Sequence, residues 1–230
     1  MISAIIVAAG QGARMKASGD KLFLELAGRP VIAHTWGRFD RIGCIDEIVL
    51  VVREGAQEMF KQVAQTYNFR KPFRFTAGGK ERQDSVWNGL QALAPEAELV
   101  AIQDAARPCT SEQVILDTLQ AAREVGAAVA ARRLTDTIKE SLDGRRISRH
   151  LDRSRLWAVQ TPQTFRVAVI RQALAAVREK GMQVTDDTAA CELIGQPVQL
   201  VESATPNPKI TLPGDVPYVE MLLRNSAENI

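Results

Sequence analysis

Cysteine and histidine are scarce in this 230-residue sequence, which limits the kinds of site that it can build. It contains three cysteines (Cys44, Cys109 and Cys191) and two histidines (His34 and His150). No Cys-x-x-Cys pair occurs, and three widely spaced cysteines do not suit a disulfide framework. A zinc centre and Cys–His catalysis are therefore not expected, and the cytoplasm, which keeps thiols reduced, is the expected location.

Strong net charge and long apolar segments are also missing. The 29 Lys and Arg residues nearly balance the 27 Asp and Glu residues, so a nucleic-acid partner is not expected. The apolar run Ile2–Ala9 is too short for a membrane span and lacks a preceding basic segment, so it predicts a buried strand and no membrane association. Neither a Gly-x-Ser-x-Gly motif nor a Walker motif occurs, which disfavours serine hydrolase and P-loop chemistry.

Short β-branched runs alternate with helical patterns along most of the chain. Such alternation is typical of βαβ units on a parallel sheet. We therefore predict one α/β domain over residues 1–230, with a Rossmann-like, mostly parallel sheet flanked by helices. The predicted strands are Ser3–Ala8, Glu47–Val52, Phe73–Thr76, Leu99–Gln103, Ala127–Ala131 and Val198–Val201, and the predicted helices lie near 30–40, 55–67, 82–93, 112–125, 167–180, 186–194 and 216–223.

The stretch from about 134 to 160 interrupts this alternation. It is polar, and Asp143-Gly144 within it is a hairpin turn signal between two short β-like pieces. We predict an inserted two-stranded arm that leaves the main sheet.

Glycines and cations follow the first predicted strand. Gly10 and Gly12 allow a ligand to approach the backbone, whose N–H groups can hold phosphate oxygens. Arg14 and Lys21 add positive charge, although a plain turn with solvated basic residues would look the same. A dinucleotide-binding turn is disfavoured because Met15 occupies the position of its third glycine.

Two further loops follow predicted strands. Gly78-Gly79-Lys80 precedes a helix that carries Ser85, and its backbone could accept a nucleobase or form only a turn. Asp104 ends a strongly apolar strand, where one carboxylate can bind Mg²⁺ together with phosphates and water. Arg107 can grip a phosphate bidentately, or it can simply pair with Asp104.

Five segments, taken in the order in which they occur along the chain, resemble the 2-C-methyl-D-erythritol 4-phosphate cytidylyltransferases of the non-mevalonate isoprenoid pathway. Together they span nearly the whole chain. The most specific are Asp104-Ala105-Ala106-Arg107-Pro108 and Leu156-Trp157 followed by Thr161-Pro162-Gln163. Asn207-x-Lys209-Ile210-Thr211 completes the series. The resemblance implies an enzyme that transfers CMP from CTP to a sugar-alcohol phosphate with Mg²⁺, and a homodimer that shares its sites through the arm.

The resemblance also implies a role for individual residues. The triphosphate would be held by Gly10, Gly12, Arg14 and Lys21, and the cytosine by Ala8, Ala9, Gly79, Lys80 and Ser85. The acceptor phosphate would be held by Arg107, Thr137, Arg153 and Lys209, with Thr137 and Arg153 reaching the neighbour's site. Arg14, Lys21, Arg153 and Lys209 would be the catalytic cations, and Asp104 the metal ligand.

Four positions depart from the family pattern. Asp20 stands where proline is common, Leu22 where glutamine is common, Gln103 where histidine is common, and Pro206 where an acid is common. Two rival functions remain at this point: a ribitol 5-phosphate cytidylyltransferase, and a noncatalytic nucleotide- or dinucleotide-binding module. The phosphate acceptor needs no general base, because its second pKa of about 6 leaves it largely dianionic at neutral pH.

Overall fold

The computed structural model describes residues 1–10 and 20–227, with side chains up to residue 225. Its strands are β1 (Ile2–Val7), β2 (Glu25–Leu26), β3 (Arg29–Pro30), β4 (Glu47–Val52), β5 (Phe73–Ala77), β6 (Leu99–Asp104), β7 (Ala127–Arg133), β8 (Lys139–Glu140), β9 (Arg149–His150), β10 (Trp157–Arg166) and β11 (Gln199–Glu202). Its helices are α1 (Val31–Arg41), α2 (Gln57–Thr66), α3 (Arg82–Gln91), α4 (Glu112–Val125), α5 (Val167–Glu179), α6 (Asp187–Glu192) and α7 (Val216–Ala227).

Seven strands form the main sheet, in the order β11-β7-β10-β6-β1-β4-β5. Every neighbouring pair is parallel except the two that involve β10. Val7 at the end of β1 is in register with Asp104 on one side and with Val51 on the other. The loops that follow these three strands therefore leave the sheet at one edge.

Apolar side chains cover both faces of the sheet. One core contains Trp36, Phe39 and Phe60 from α1 and α2, and the other contains Leu90 from α3 and Leu174 from α5. Because β4 and β6 are buried along their whole length, their sequences are continuous apolar runs rather than alternating ones. Each large buried side chain contributes about 1.5–3 kcal/mol to the stability of the fold, so packing on both faces stabilises the sheet that carries the loops.

The predicted fold class is confirmed, and the predicted strands correspond to β1, β4, β5, β6, β7 and β11. Strand β10 was not predicted, because Gln160-Thr161-Pro162-Gln163 is polar and contains a proline. In the structure it lies between β6 and β7, and its pairing with β7 shifts register between Val159 and Gln163.

The stretch predicted as an arm contains a hairpin formed by β8 and β9, which pair only with each other in the part of the chain that is described. Residues 157–160 of that stretch belong to β10 instead. At the base of the hairpin, the Arg133 guanidinium lies 4.3 Å from the ring centre of Trp157. No helix within residues 1–10 and 20–227 is long and apolar enough to cross a membrane.

Candidate active site

A cavity of about 580 Å³ opens at the carboxyl edge of the sheet. It is formed by the loops after β1, β5 and β6 and by the segment that precedes α7. The predicted site residues that line it are Ala8, Ala9, Gly10, Lys21, Gly79, Lys80, Ser85, Asp104 and Lys209. Gly12 and Arg14 lie outside the described residues.

Lys21 connects the first loop to the far end of the chain. Its Nζ donates a hydrogen bond to the carbonyl of Ile210, at 2.8 Å. Lys209 precedes that carbonyl, so two of the predicted catalytic cations, Lys21 and Lys209, lie on the same cavity although 188 positions separate them in the sequence.

The glycines of the second loop are required by close packing. A Cβ on Gly78 would lie 2.2 Å from the Cβ of Ala9, and one on Gly79 would lie 2.2 Å from the Cβ of Asp84. The Ser85 hydroxyl accepts a hydrogen bond from the Gly79 N–H at 3.0 Å and donates to the Glu81 carbonyl. Ser85 therefore fixes the shape of this loop in addition to lining the cavity.

Asp104 is surrounded by three cations. Its Oδ2 lies 2.7 Å from Nζ of Lys209 and 3.7 Å from Nε of Arg107, and its Oδ1 accepts from Nε of Arg82 at 3.3 Å. Burial alone would raise the pKa of Asp104, but Arg82, Lys209 and Arg107 outweigh it and hold that pKa well below its usual range. The carboxylate is therefore ionised at any physiological pH.

Arg82 is a site residue that the sequence analysis missed. It lies between two carboxylates, since its Nη1 also donates to Oδ2 of Asp187 at 2.8 Å. Burial opposes its charge, but Asp187 and Asp104 raise the pKa of Arg82 above its ordinary value. No motif marks Arg82, because its partner Asp187 is 105 positions away and the two meet only in the folded chain.

A second polar network holds the loop after β6. The Arg107 Nη1 donates to the Asn207 carbonyl at 2.7 Å, and the Asn207 side chain donates to the Thr161 carbonyl at 2.8 Å. Thr161 in turn accepts from the Asp104 N–H through its hydroxyl, at 3.1 Å. The segment before α7 and the unpredicted strand β10 therefore both position Asp104, and neither Asn207 nor Thr161 was predicted as a site residue.

A smaller cavity of about 240 Å³ adjoins the first. Both cavities are lined by Arg82, Asp104 and Lys209, which makes these side chains the boundary between them. The other lining residues of the smaller cavity are Arg107, Val159, Gln160, Thr161, Gln163, Thr185 and Asp186.

Thr137 and Arg153 line neither cavity. Both are exposed, and a guanidinium nitrogen of Arg153 donates to the Thr135 carbonyl within the arm. A single chain thus brings together Arg107 and Lys209 of the predicted acceptor-binding residues, but not the two on the arm.

The four departures from the family pattern have distinct surroundings. Asp20 forms an ion pair with Arg53, and Leu22 is buried in the core. Gln103 is fully buried and donates to the Thr110 hydroxyl at 2.8 Å, so it supports the loop after β6. Pro206 is only partly buried, and nothing in the structure gives it a role at the site.

A metal ion would have few protein ligands here. Within residues 1–10 and 20–227, no group of three or more His, Cys, Asp or Glu side chains could hold a metal by itself. Two carboxylates, those of Glu81 and Asp104, line the cavity, and so small a set fits an ion bound mainly by substrate phosphates and water, as Mg²⁺ commonly is.

Cations from distant parts of the chain, the Asp104 carboxylate and a glycine-rich turn thus meet at the edge where open α/β sheets bind ligands. This combination defines a nucleotide-binding transferase: its cations are suited to hold and neutralise phosphates, and the cavity lining includes no Ser–His or Cys–His pair among the described residues.

Comparison with known proteins identifies the family. The family model for 2-C-methyl-D-erythritol 4-phosphate cytidylyltransferase matches residues 2–225. The enzyme of that name from Geobacillus kaustophilus is 44% identical over 220 residues, covering 96% of each chain. The one from Alkaliphilus oremlandii is 39% identical over 227 residues, covering 98% of this chain and 96% of its own.

Two solved structures are similar to this chain in fold. The 4-diphosphocytidyl-2C-methyl-D-erythritol synthase of Anaerococcus prevotii superposes with a TM-score of 0.87 at 32% identity, covering 97% of this chain and 96% of its own. The Thermus thermophilus 2-C-methyl-D-erythritol 4-phosphate cytidylyltransferase superposes with a TM-score of 0.77 at 31% identity, covering 96% and 98%.

The chain belongs to the 2-C-methyl-D-erythritol 4-phosphate cytidylyltransferase family. The resemblance seen in the sequence is thereby confirmed, as is the prediction of a nucleotidyltransferase. The comparisons favour neither the ribitol 5-phosphate enzyme nor the noncatalytic module.

Proposed function

We propose that this chain converts CTP and 2-C-methyl-D-erythritol 4-phosphate into 4-diphosphocytidyl-2-C-methyl-D-erythritol and pyrophosphate. The observation that carries the proposal is the pair of adjoining cavities, one with a glycine-rich lining and one without, that share Arg82, Asp104 and Lys209. A nucleotide in the larger cavity and a phosphate acceptor in the smaller one would meet at these charges.

The larger cavity suits CTP. Ala8, Ala9 and Gly79 line it beside Lys80 and Ser85, and residues with such small side chains would let the cytosine edge be read by backbone groups. Lys21 and Gly10 line the same cavity, and we assign the triphosphate to them together with Gly12 and Arg14.

The reaction needs charge neutralisation more than proton transfer. The acceptor phosphate is already largely dianionic, because its second pKa is about 6. Lys209 and Arg107 would orient it in line with the α-phosphate, while Lys21 and Arg14 stabilise the charge that develops on the departing pyrophosphate. We assign Mg²⁺ to Asp104; when bound, the ion neutralises and orients the CTP phosphates.

We further propose a homodimer in which the arm serves the neighbour's site. Leu142 and Ile147 on the arm are 87% and 70% exposed, which is unusual for two large apolar side chains on one hairpin and favours burial against a partner. Thr137 and Arg153 would then reach the acceptor phosphate of the other subunit. We place the reaction in the cytoplasm, in keeping with the free thiols of Cys44, Cys109 and Cys191.

Pyrophosphate release tests the reaction. The purified chain is mixed with Mg²⁺ and CTP, and each acceptor is added in turn. We expect release with 2-C-methyl-D-erythritol 4-phosphate and far slower release with ribitol 5-phosphate. Nucleotide binding without release would favour the noncatalytic module, and a preference for ribitol 5-phosphate would overturn the assigned acceptor.

Subunit mixing tests the shared site. Arg153→Ala and Lys209→Ala chains are each expected to be nearly inactive alone. When the two are mixed and allowed to exchange subunits, one site of each mixed dimer regains both cations, so activity should return. If Arg153 served its own chain's site, mixing would restore nothing.

A further inference from the structure

The turn that carries Lys21 is held by a charge pair outside the cavity lining. The Asp20 carboxylate forms an ion pair with the guanidinium of Arg53, the residue that directly follows β4. Asp20 is a departure from the family pattern, and neither it nor Arg53 lines either cavity.

Asp20 also shapes the turn itself. Its Oδ1 accepts from the Leu22 N–H at 3.1 Å, and its carbonyl accepts from the Phe23 N–H at 2.9 Å. Both hydrogen bonds close around Lys21, which is the residue enclosed by the turn. One carboxylate therefore sets the local conformation with one oxygen and ties it to the end of β4 with the other.

The opposite flank of Lys21 is anchored separately. Leu22 is buried in the core, and its carbonyl accepts from the Ile32 N–H of α1 at 2.9 Å. With Arg53 on one side and α1 on the other, the Lys21 side chain is directed to the Ile210 carbonyl, where its Nζ lies at 2.8 Å.

We propose that the Asp20–Arg53 ion pair is a positioning device that holds Lys21 against the C-terminal segment for the phosphates of the nucleotide. This proposal rests partly on the proposed function, because the consequence of a displaced Lys21 is a loss of CMP transfer. Its stabilising effect on the fold is small, since both side chains are partly exposed. Its effect on rate is large, because a displacement of about 1 Å can cost on the order of 10²-fold.

Four variants isolate the pair. Asp20→Asn keeps an oxygen for the Leu22 N–H and removes the charge, and Arg53→Met removes the cation. We expect each to lower kcat by about 10–100-fold, with an unchanged melting temperature and little change in the KM of the acceptor. The double variant should lose no more of its kcat than either single variant does, and Arg53→Lys should keep most of the wild-type kcat. Arg41→Met, which breaks a more exposed ion pair with Glu112 away from the cavities, is the control and should keep the wild-type rate.

A test in a chain without the Lys21 side chain separates a positioning role of the Asp20–Arg53 pair from a general structural role. In a Lys21→Ala background, adding Asp20→Asn should cause no further loss. Losses that multiply in that background, or Asp20→Asn and Arg53→Met variants with wild-type rates, would overturn the proposal.

A second readout does not need activity. Acetylation of individual lysines, followed by mass spectrometry, should show Lys21 becoming several-fold more reactive in Asp20→Asn and Arg53→Met, with Lys61 unchanged. Unchanged Lys21 reactivity would refute the positioning role. If the wild-type chain released no pyrophosphate, the proposed function would fail while this labelling still decided the inference.

Discussion

Lys209 and Asp104 lie 105 positions apart in the sequence, yet Nζ of Lys209 is 2.7 Å from Oδ2 of Asp104. The contact joins the end of β6 to the segment before α7 and marks the boundary between the two cavities. Arg82 completes the arrangement on the other carboxylate oxygen. Substrates of high negative charge would thus meet several fixed cations around the Asp104 carboxylate.

Replacing Lys21 by alanine should lower kcat by about 10²–10³-fold, the usual cost of losing one contact to transition-state charge. The fold should be unaffected, because the side chain lines a cavity rather than the core. Steady-state kinetics and thermal unfolding measure the two effects. Lys61→Ala, on the exposed face of α2, is the control and should match the wild type. A Lys21→Ala rate near the wild-type rate would remove Lys21 from the mechanism.

Replacing Arg82 by methionine should destabilise the protein by about 3–5 kcal/mol, because it leaves the buried Asp187 without its cation. Adding Asp187→Asn should recover part of that loss by removing the uncompensated charge. Urea unfolding measures both. Arg178→Met is the control: Arg178 pairs with Asp84 near the surface, and its loss should cost about 1 kcal/mol or less. Equal losses in the free energy of unfolding for the Arg82 and Arg178 variants would show that Arg82 is not a structural link to Asp187.

The second loop should not tolerate a methyl group. In Gly78→Ala the new Cβ would meet the Cβ of Ala9 at 2.2 Å, so one strand end or the loop must move. Overpacking should lower the free energy of unfolding by about 1–3 kcal/mol, and the KM for CTP should rise because the displaced loop lines the cavity. Gly43→Ala, where nothing lies within 4 Å of the new Cβ, is the control and should leave that KM unchanged. An unchanged KM in Gly78→Ala would mean that this loop does not contact the nucleotide.

Asp104 should contribute to stability in a pH-dependent way. Its pKa is depressed in the folded chain, so its contribution is complete above its unfolded pKa of about 3.9 and is lost as the pH falls below that value. The difference in melting temperature between the wild type and Asp104→Asn should therefore be constant from pH 8 to about 5 and shrink below about pH 4. A difference that already shrinks near pH 6 would contradict the cation cluster around Asp104.

The sequence predicted the parts of the site that follow strands, because carboxyl ends of parallel strands necessarily meet at one edge. Gly10, Gly79 and Asp104 were found in this way. Lys209 was found only through the family resemblance, since a lone lysine in a polar segment carries no periodic signal. Arg82, by contrast, acts through Asp187 in α6, and a pairing over that distance has no local pattern.

Strand β10 is the main element that the sequence patterns did not predict. Strand patterns are read from alternating or continuous apolar residues, and Gln160, Thr161 and Gln163 offer neither. These residues are polar because they serve the site: Thr161 accepts from the Asp104 N–H, and Gln163 accepts from the Asp187 N–H. Apolar patterns are therefore least informative about secondary structure where strand residues contribute to the site.

The most direct test of the account uses the acceptor phosphate labelled with ¹⁸O, with the products identified by ³¹P NMR and mass spectrometry. In-line attack by this phosphate on the α-phosphate of CTP predicts one labelled oxygen in the bridge between the two phosphorus atoms of the product and none in pyrophosphate. Label in pyrophosphate, or release of CMP with no diphosphate product, would contradict it.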